Sequence, residues 1–186
     1  MTHGELVSKA MAWLVGKQRC SVAVSEFVSS GMETPDAIGW YGWHTILVEA
    51  KISMSDFIAD KKKAFRIYPK NGMGAKRYFI VPEELVEKVL QILPDKWGLL
   101  YPKGRSIIIV KYSENFADRN QTQEAGILLS IIRRMSDMNR PIQGLGVKWY
   151  QPLHHYDHVP RAELYVDPET DSQATGGSTT FNDVKG

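Results

Sequence analysis

The chain has 186 residues, 43% of them hydrophobic, which is enough apolar material for one core and so for one domain. A formal net charge of +2 excludes a global basic field, so any nucleic-acid surface has to be a local patch. A single cysteine, Cys20, excludes an internal disulfide framework, and no apolar run reaches the ~20 residues of a membrane span.

Residues 2–17 read as a helix, with Leu6, Met11, Leu14 and Val15 on one face and Gly16 at its end. Residues 21–29 alternate around Val22, Val24, Phe27 and Val28 and read as a strand closed by Ser30-Gly31. Residues 36–41 and 45–52 read as two more strands joined by Gly42-Trp43-His44. Together the three make an antiparallel meander. Ser53-Met54-Ser55-Asp56 matches a helix start. The helix that follows takes Phe57, Ile58 and Phe65 as its inner face and Lys61-Lys62-Lys63 as its outer one. Residues 76–81 form a fourth strand, and Pro82-Glu83-Glu84 opens a short helix. Residues 97–101 and 106–111 are further strands. A long helix is expected over 117–138 on the stripe Ile127, Leu128, Ile131, Ile132 and Met135. From Asp167 onward there is little to bury, so 167–186 reads as a disordered tail behind a domain at 1–166. The order of elements predicts an α/β fold: a mixed sheet, the meander plus further strands, flanked by helices.

The chemistry concentrates at Asp36, Glu49 and Lys51. Alternation along a strand puts Glu49 and Lys51 on one face and Val48, Ala50 and Ile52 on the other. Burying a carboxylate and an ammonium beside a core strand is expensive. A second carboxylate, Asp36, arrives on the preceding strand, and a divalent cation relieves the repulsion between the two. Carboxylate oxygens suit Mg²⁺ or Mn²⁺. Such a cation acidifies water and offsets charge on a phosphoryl group, while a lysine holds water or phosphate as a compact charge. The carbonyl of Ala50, between two active-face residues, is a further candidate ligand. This is a layout for metal-dependent phosphodiester hydrolysis.

The Pro35-Asp36, spacer, Glu49-Ala50-Lys51 pattern resembles the PD-(D/E)XK nuclease superfamily. The chain is most similar there to MmcB-like DNA repair proteins. The resemblance also runs through Ser53-Met54-Ser55-Asp56-Phe57-Ile58-Ala59-Asp60-Lys61-Lys62, Tyr78-Phe79-Ile80-Val81-Pro82 and Gly98-Leu99-Leu100-Tyr101, and covers roughly residues 5 to 112. Where the MmcB-like pattern carries Arg-Arg-Ala before its Asp, this chain has Glu33-Thr34-Pro35. Residues 113–186 have no counterpart in the pattern. The resemblance implies a restriction-endonuclease-like core, a DNA substrate and a repair, phage or mobile-element setting. The expected location is the cytoplasm of a bacterial cell or of a phage-infected host. It also implies a further carboxylate at the metal, for which Glu5 in the first helix and Glu26 in the first strand are rivals.

Other features weigh less. Lys61, Lys62, Lys63, Lys76 and Arg77 are candidate DNA contacts, with Lys103 and Arg105 of similar standing. Asp56 reads as a helix cap, and Asp60 as a residue that orients Lys51 or Lys63. Of Trp40, Tyr41 and Trp43, at least one belongs to the core. His154, His155, Asp157 and His158 are too closely spaced for an ordinary zinc site. Cys20 reads as a small buried hydrophobe. The competing function is a catalytically idle DNA-binding or adaptor protein on the same fold. No membrane partner is expected, and a homodimer is left open.

Overall fold

A computed structural model describes residues 1–29, 31, 33–135 and 145–147. The described residues all belong to one compact unit, Met1–Trp149, and residues 150–186 lie outside the described residues. The expected boundary at 166, the tail at 167–186 and the histidine group at 154–158 fall there too.

The first helix, α1 (His3–Gly16), starts on a capping box: Thr2 accepts from the Glu5 N–H and Glu5 reaches back to the Thr2 N–H. Three strands follow, β1 (Val22–Ser25), β2 (Ala37–Tyr41) and β3 (His44–Ala50). They pair antiparallel in sequence order, as the meander requires. β1 is shorter than expected because Glu26 takes a positive φ of 48°, a conformation that breaks strand geometry.

After β3 the chain crosses over through α2 (Met54–Asp60) and α3 (Ala64–Ile67) to β4 (Lys76–Ile80), which lies parallel to β3. Ser53 caps α2 by accepting from the Asp56 N–H, as its sequence signature predicts. The single helix expected here is broken. Lys61-Lys62-Lys63 forms the exposed turn between α2 and α3 and not an outer helix face, and Ile58 is exposed. A second crossover runs through a 3₁₀ turn at Glu83–Leu85 and α4 (Val86–Gln91) to β5 (Gly98–Lys103), parallel to β4. β6 (Ser106–Lys111) returns antiparallel as a hairpin. α5 (Gln121–Met135) begins four residues later than expected. β7 (Leu145–Val147), which has no counterpart among the expected strands, pairs antiparallel with β1.

The result is a seven-stranded mixed sheet in the order β6-β5-β4-β3-β2-β1-β7. Its two faces carry separate cores. One joins Leu6, Ala10, Trp13 and Leu14 of α1 to Ala23, Val48, Ala50, Ile80 and Leu100, with buried Cys20 among them. The other joins Leu47, Phe57, Phe79, Trp97, Leu99 and Ile127. Both faces of β3 are thus covered, which is why it reads as a continuous apolar run. No helix of the described residues is long and apolar enough to cross a membrane.

Candidate functional site

The site forms where β2 begins and β3 ends. Ala37 pairs with Val48, so Asp36 stands beside Glu49 at the next step of the ladder. Alternation turns Glu49 away from Val48 and Ala50, which face α1. The Asp36 Oδ2 accepts the Ala50 N–H at 2.8 Å, and this fixes the carboxylate against the end of β3. The Lys51 Nζ lies 3.2 Å from Glu49 Oε2 and 3.8 Å from Asp36 Oδ2. The three residues singled out in the sequence therefore converge.

Asp60 at the end of α2 joins them, with Oδ1 3.4 Å from Lys51 Nζ and 2.7 Å from Lys63 Nζ. The sequence offered Lys51 or Lys63 as its partner, and Asp60 meets both. Behind this group lies a second layer with no signature in the sequence. Arg66 of α3, side chain buried, pairs with Asp60 Oδ2 at 2.7 Å, Glu33 Oε1 at 2.5 Å and Glu49 Oε1 at 3.0 Å. Its guanidinium also lies over the rings of Phe65 and Trp97. The other oxygen of Glu33 accepts the Met73 N–H. Arg66 sits just past a lysine run that looks solvated. Glu33 lies in a loop, where no periodicity marks burial. Both were legible only as charged residues.

His3 was missed as well. Its Nε2 is 3.6 Å from Asp36 Oδ1 and 3.5 Å from Glu26 Oε1, so the start of α1 delivers an imidazole to the rim. Glu26 reaches the site through this histidine. The rival carboxylate Glu5 does not: it is exposed, its carboxylate closes the capping box, and among the described residues no hydrogen bond or ion pair links it to Asp36 or Glu49. The Thr2 backbone and hydroxyl hold the Glu5 carboxyl below its ordinary range.

Charge explains the ionisation of the group. Glu33, Asp36, Glu49 and Asp60 face two buried cations, Lys51 and Arg66. Burial, reinforced by Glu49, pushes the Asp36 carboxyl up to about 6 despite Lys51 nearby. Burial and Glu49 likewise raise Glu33. Burial works against the charged Asp60, yet Arg66 and the Lys63 hydrogen bond outweigh it and hold Asp60 low. Burial also works against the charged Lys51, but Glu49, Asp60 and Asp36 raise it above an ordinary lysine. Arg66 is raised in the same way.

Does this set suit a hard divalent cation? Among the described residues no three His, Cys, Asp or Glu side chains are arranged to hold one. Two carboxylates are present, however, and Mg²⁺ commonly takes one or two, completing its shell with waters and substrate phosphates. The Glu49 Oε1 is buried and faces Arg66 at 3.0 Å without an aligned hydrogen bond, and burial together with the Glu49 charge raises the Asp36 carboxyl. Both observations fit a site that accepts positive charge. Asp36 and Glu49 would hold it, with the Ala50 carbonyl adjacent.

The candidate DNA contacts divide. Lys61, Lys62 and Lys63 are exposed on the turn beside the site; Lys61 donates to the Ile92 carbonyl and Lys63 to Asp60. Lys76 is partly buried and donates to the Ser113 carbonyl. Arg77 is not a surface residue. Only 1% exposed, it donates to the carbonyls of Pro69, Gly72 and Gly74 and lies over Phe116. Burial lowers its guanidinium to about 10. Trp40 belongs to the core, while Tyr41 and Trp43 are exposed. Tyr41 ends β2 roughly 17 Å from Asp36 at about 3.3 Å per residue, and Trp43 lies in the turn beyond it.

No family model matches the chain, and no curated protein matches it. Among solved structures it is similar to a protein of unknown function from Silicibacter pomeroyi, with 20% sequence identity and a TM-score of 0.55, over 76% of this chain and 94% of the other. That likeness concerns the fold.

Proposed function

We propose that the chain is a metal-dependent nuclease that hydrolyses DNA phosphodiester bonds on a restriction-endonuclease-like core, as the PD-(D/E)XK pattern implies. The observation that carries this reading is the convergence of Asp36, Glu49 and Lys51 at one partly open point, with negative charge in excess. Mg²⁺ or Mn²⁺, held by Asp36 and Glu49, would polarise the phosphoryl group and lower the pKa of a bound water. Lys51 holds its proton firmly among three acids, so it acts as a fixed positive charge and not as a base. It orients water or a phosphate oxygen. Asp60 and Arg66 keep Lys51 and Glu49 in place. His3, at the rim against Asp36, would be the group that exchanges a proton with the departing oxygen.

A second reading has an observation of its own. Both Glu49 oxygens face cations, Lys51 and Arg66, as in a structural ion-pair network on an idle DNA-binding protein. One experiment separates the two. Linear, nicked, single-stranded and branched DNA are incubated with Mg²⁺ or Mn²⁺ and wild type or Lys51→Ala. A charge used mainly in the transition state should cost about 10²-fold or more in rate when removed, with little change in DNA affinity. Wild type that binds DNA but cleaves none of these substrates with either metal would establish the idle protein.

A further inference from the structure

A cleft of about 310 Å³ opens between α1 and the start of β6, lined by Lys9, Trp13, Lys17, Arg105 and Ser106 among others. No acidic residue lines it. Lys9, Trp13 and Lys17 share one side of α1 because they are four residues apart. The Lys9 Nζ donates to the Gly104 carbonyl at 2.8 Å, which pins the ammonium against the β5–β6 turn beside Arg105. Trp13 is 4% exposed, and its indole Nε1 is a buried donor with no hydrogen-bond partner. A buried donor left unmet is costly. Glu5, one turn before Lys9, is occupied by the helix cap. The lining thus offers two ammoniums, a guanidinium and a hydroxyl, and no competing anion.

We propose that this cleft is a phosphate-binding site that grips the sugar–phosphate backbone of a nucleic acid away from the Asp36 group. A tetrahedral anion accepts donors from several directions, which suits cations contributed by two elements meeting across a gap. The cleft lies farther along the helix whose first turn brings His3 to Asp36. Lys9 and Lys17 lie roughly 9 and 21 Å along α1 from His3 at about 1.5 Å per residue. That is about three to six steps of duplex at ~3.4 Å each. The proposal rests on the nucleic-acid part of the reading above and not on hydrolysis.

The test is binding in EDTA, where cleavage plays no part. Fluorescence anisotropy of a short labelled duplex is followed from about 50 to about 200 mM salt. The triple variant Lys9→Gln, Lys17→Gln, Arg105→Gln should bind about tenfold more weakly at the lowest salt. Its slope of log K against log salt should fall by about 2 to 3, since each lost phosphate contact removes ~0.9. The charge-matched triple Lys70→Gln, Lys88→Gln, Lys96→Gln, on exposed positions elsewhere, should change the slope by less than half as much. Pyrophosphate alone should alter tryptophan emission in wild type, and Trp13→Phe should abolish that change. Equal effects of the two triples would overturn the proposal, as would wild type that binds no duplex. Displacement of DNA by polyglutamate as readily as by pyrophosphate would assign the cleft to acidic peptides instead.

Discussion

At Asp36 the cost of two neighbouring carboxylates is concentrated on one group. Its folded-state pKa is about 6, against an ordinary 3.8. The folded protein therefore binds the proton more tightly than the unfolded chain. Between about pH 4 and pH 6 the native state retains a proton that the unfolded state has released, so stability falls as pH rises through this window. A difference of this size in proton affinity corresponds to about 3 kcal/mol at most. Asp36→Asn should remove this slope in a thermal-unfolding series without metal, and should leave the neutral-pH melting temperature equal to wild type or higher. The same variant should abolish Mn²⁺-induced stabilisation, which at 100-fold over Kd amounts to about 2.7 kcal/mol. A large loss of metal-free stability would instead mark Asp36 as one half of a structural ion pair. Glu49 and Lys51 were legible in the sequence because strand alternation puts them on one face, and Asp36 because it arrives with the preceding strand of the meander. Glu33, Arg66 and His3 were not. They meet the triad through a loop, a one-turn helix and a helix start, and none of these carries a period from which side-chain direction can be read.

Among the elements, the strands were easier to place than the crossovers. β2, β3 and β4 each carry a short apolar or aromatic run bounded by turns, so their positions followed from composition. The helix after β3 looked continuous because Phe57 and Phe65 are spaced for one face, yet it ends at Asp60. The break turns Arg66 inward toward Asp60. β7 is three residues long, too short for any pattern. A close approach at Gly98 holds the parallel pair β4–β5 together. A Cβ there would stand 2.3 Å from the Tyr78 ring and 2.8 Å from the Lys111 carbonyl oxygen. One of these neighbours is backbone of β6 and cannot swing away. Gly98→Ala should therefore cost about 1–3 kcal/mol, as overpacking does, measured by urea unfolding. A neutral result would mean that the β5–β6 hairpin shifts at little cost.

In the molecule as a whole, two apolar cores lie on opposite faces of the sheet, and a charged layer is buried beside one of them. Arg66 ties the loop before β2, the end of β3 and the end of α2 to one guanidinium. Replacing it by an apolar side chain of similar length leaves Glu33, Glu49 and Asp60 without their shared cation. Removing one partner of a buried pair typically costs about 3–5 kcal/mol. Arg66→Met should lose stability on that scale at neutral pH. It should recover part of the loss as the pH falls and Glu33, whose carboxyl burial raises, takes up a proton. Denaturant midpoints across a pH series would check both statements. A loss independent of pH would assign the defect to the ring contacts of Arg66 and not to its charge.

The same tie bears on time. Its partners are 33, 17 and 6 residues from Arg66 in sequence, so the cluster closes only when β3 and both crossover helices are docked. Interactions that complete late contribute little to the folding barrier and much to the barrier against unfolding. Arg66 thus acts as a latch: loosening it should shorten the lifetime of the native state far more than it delays the chain in reaching that state.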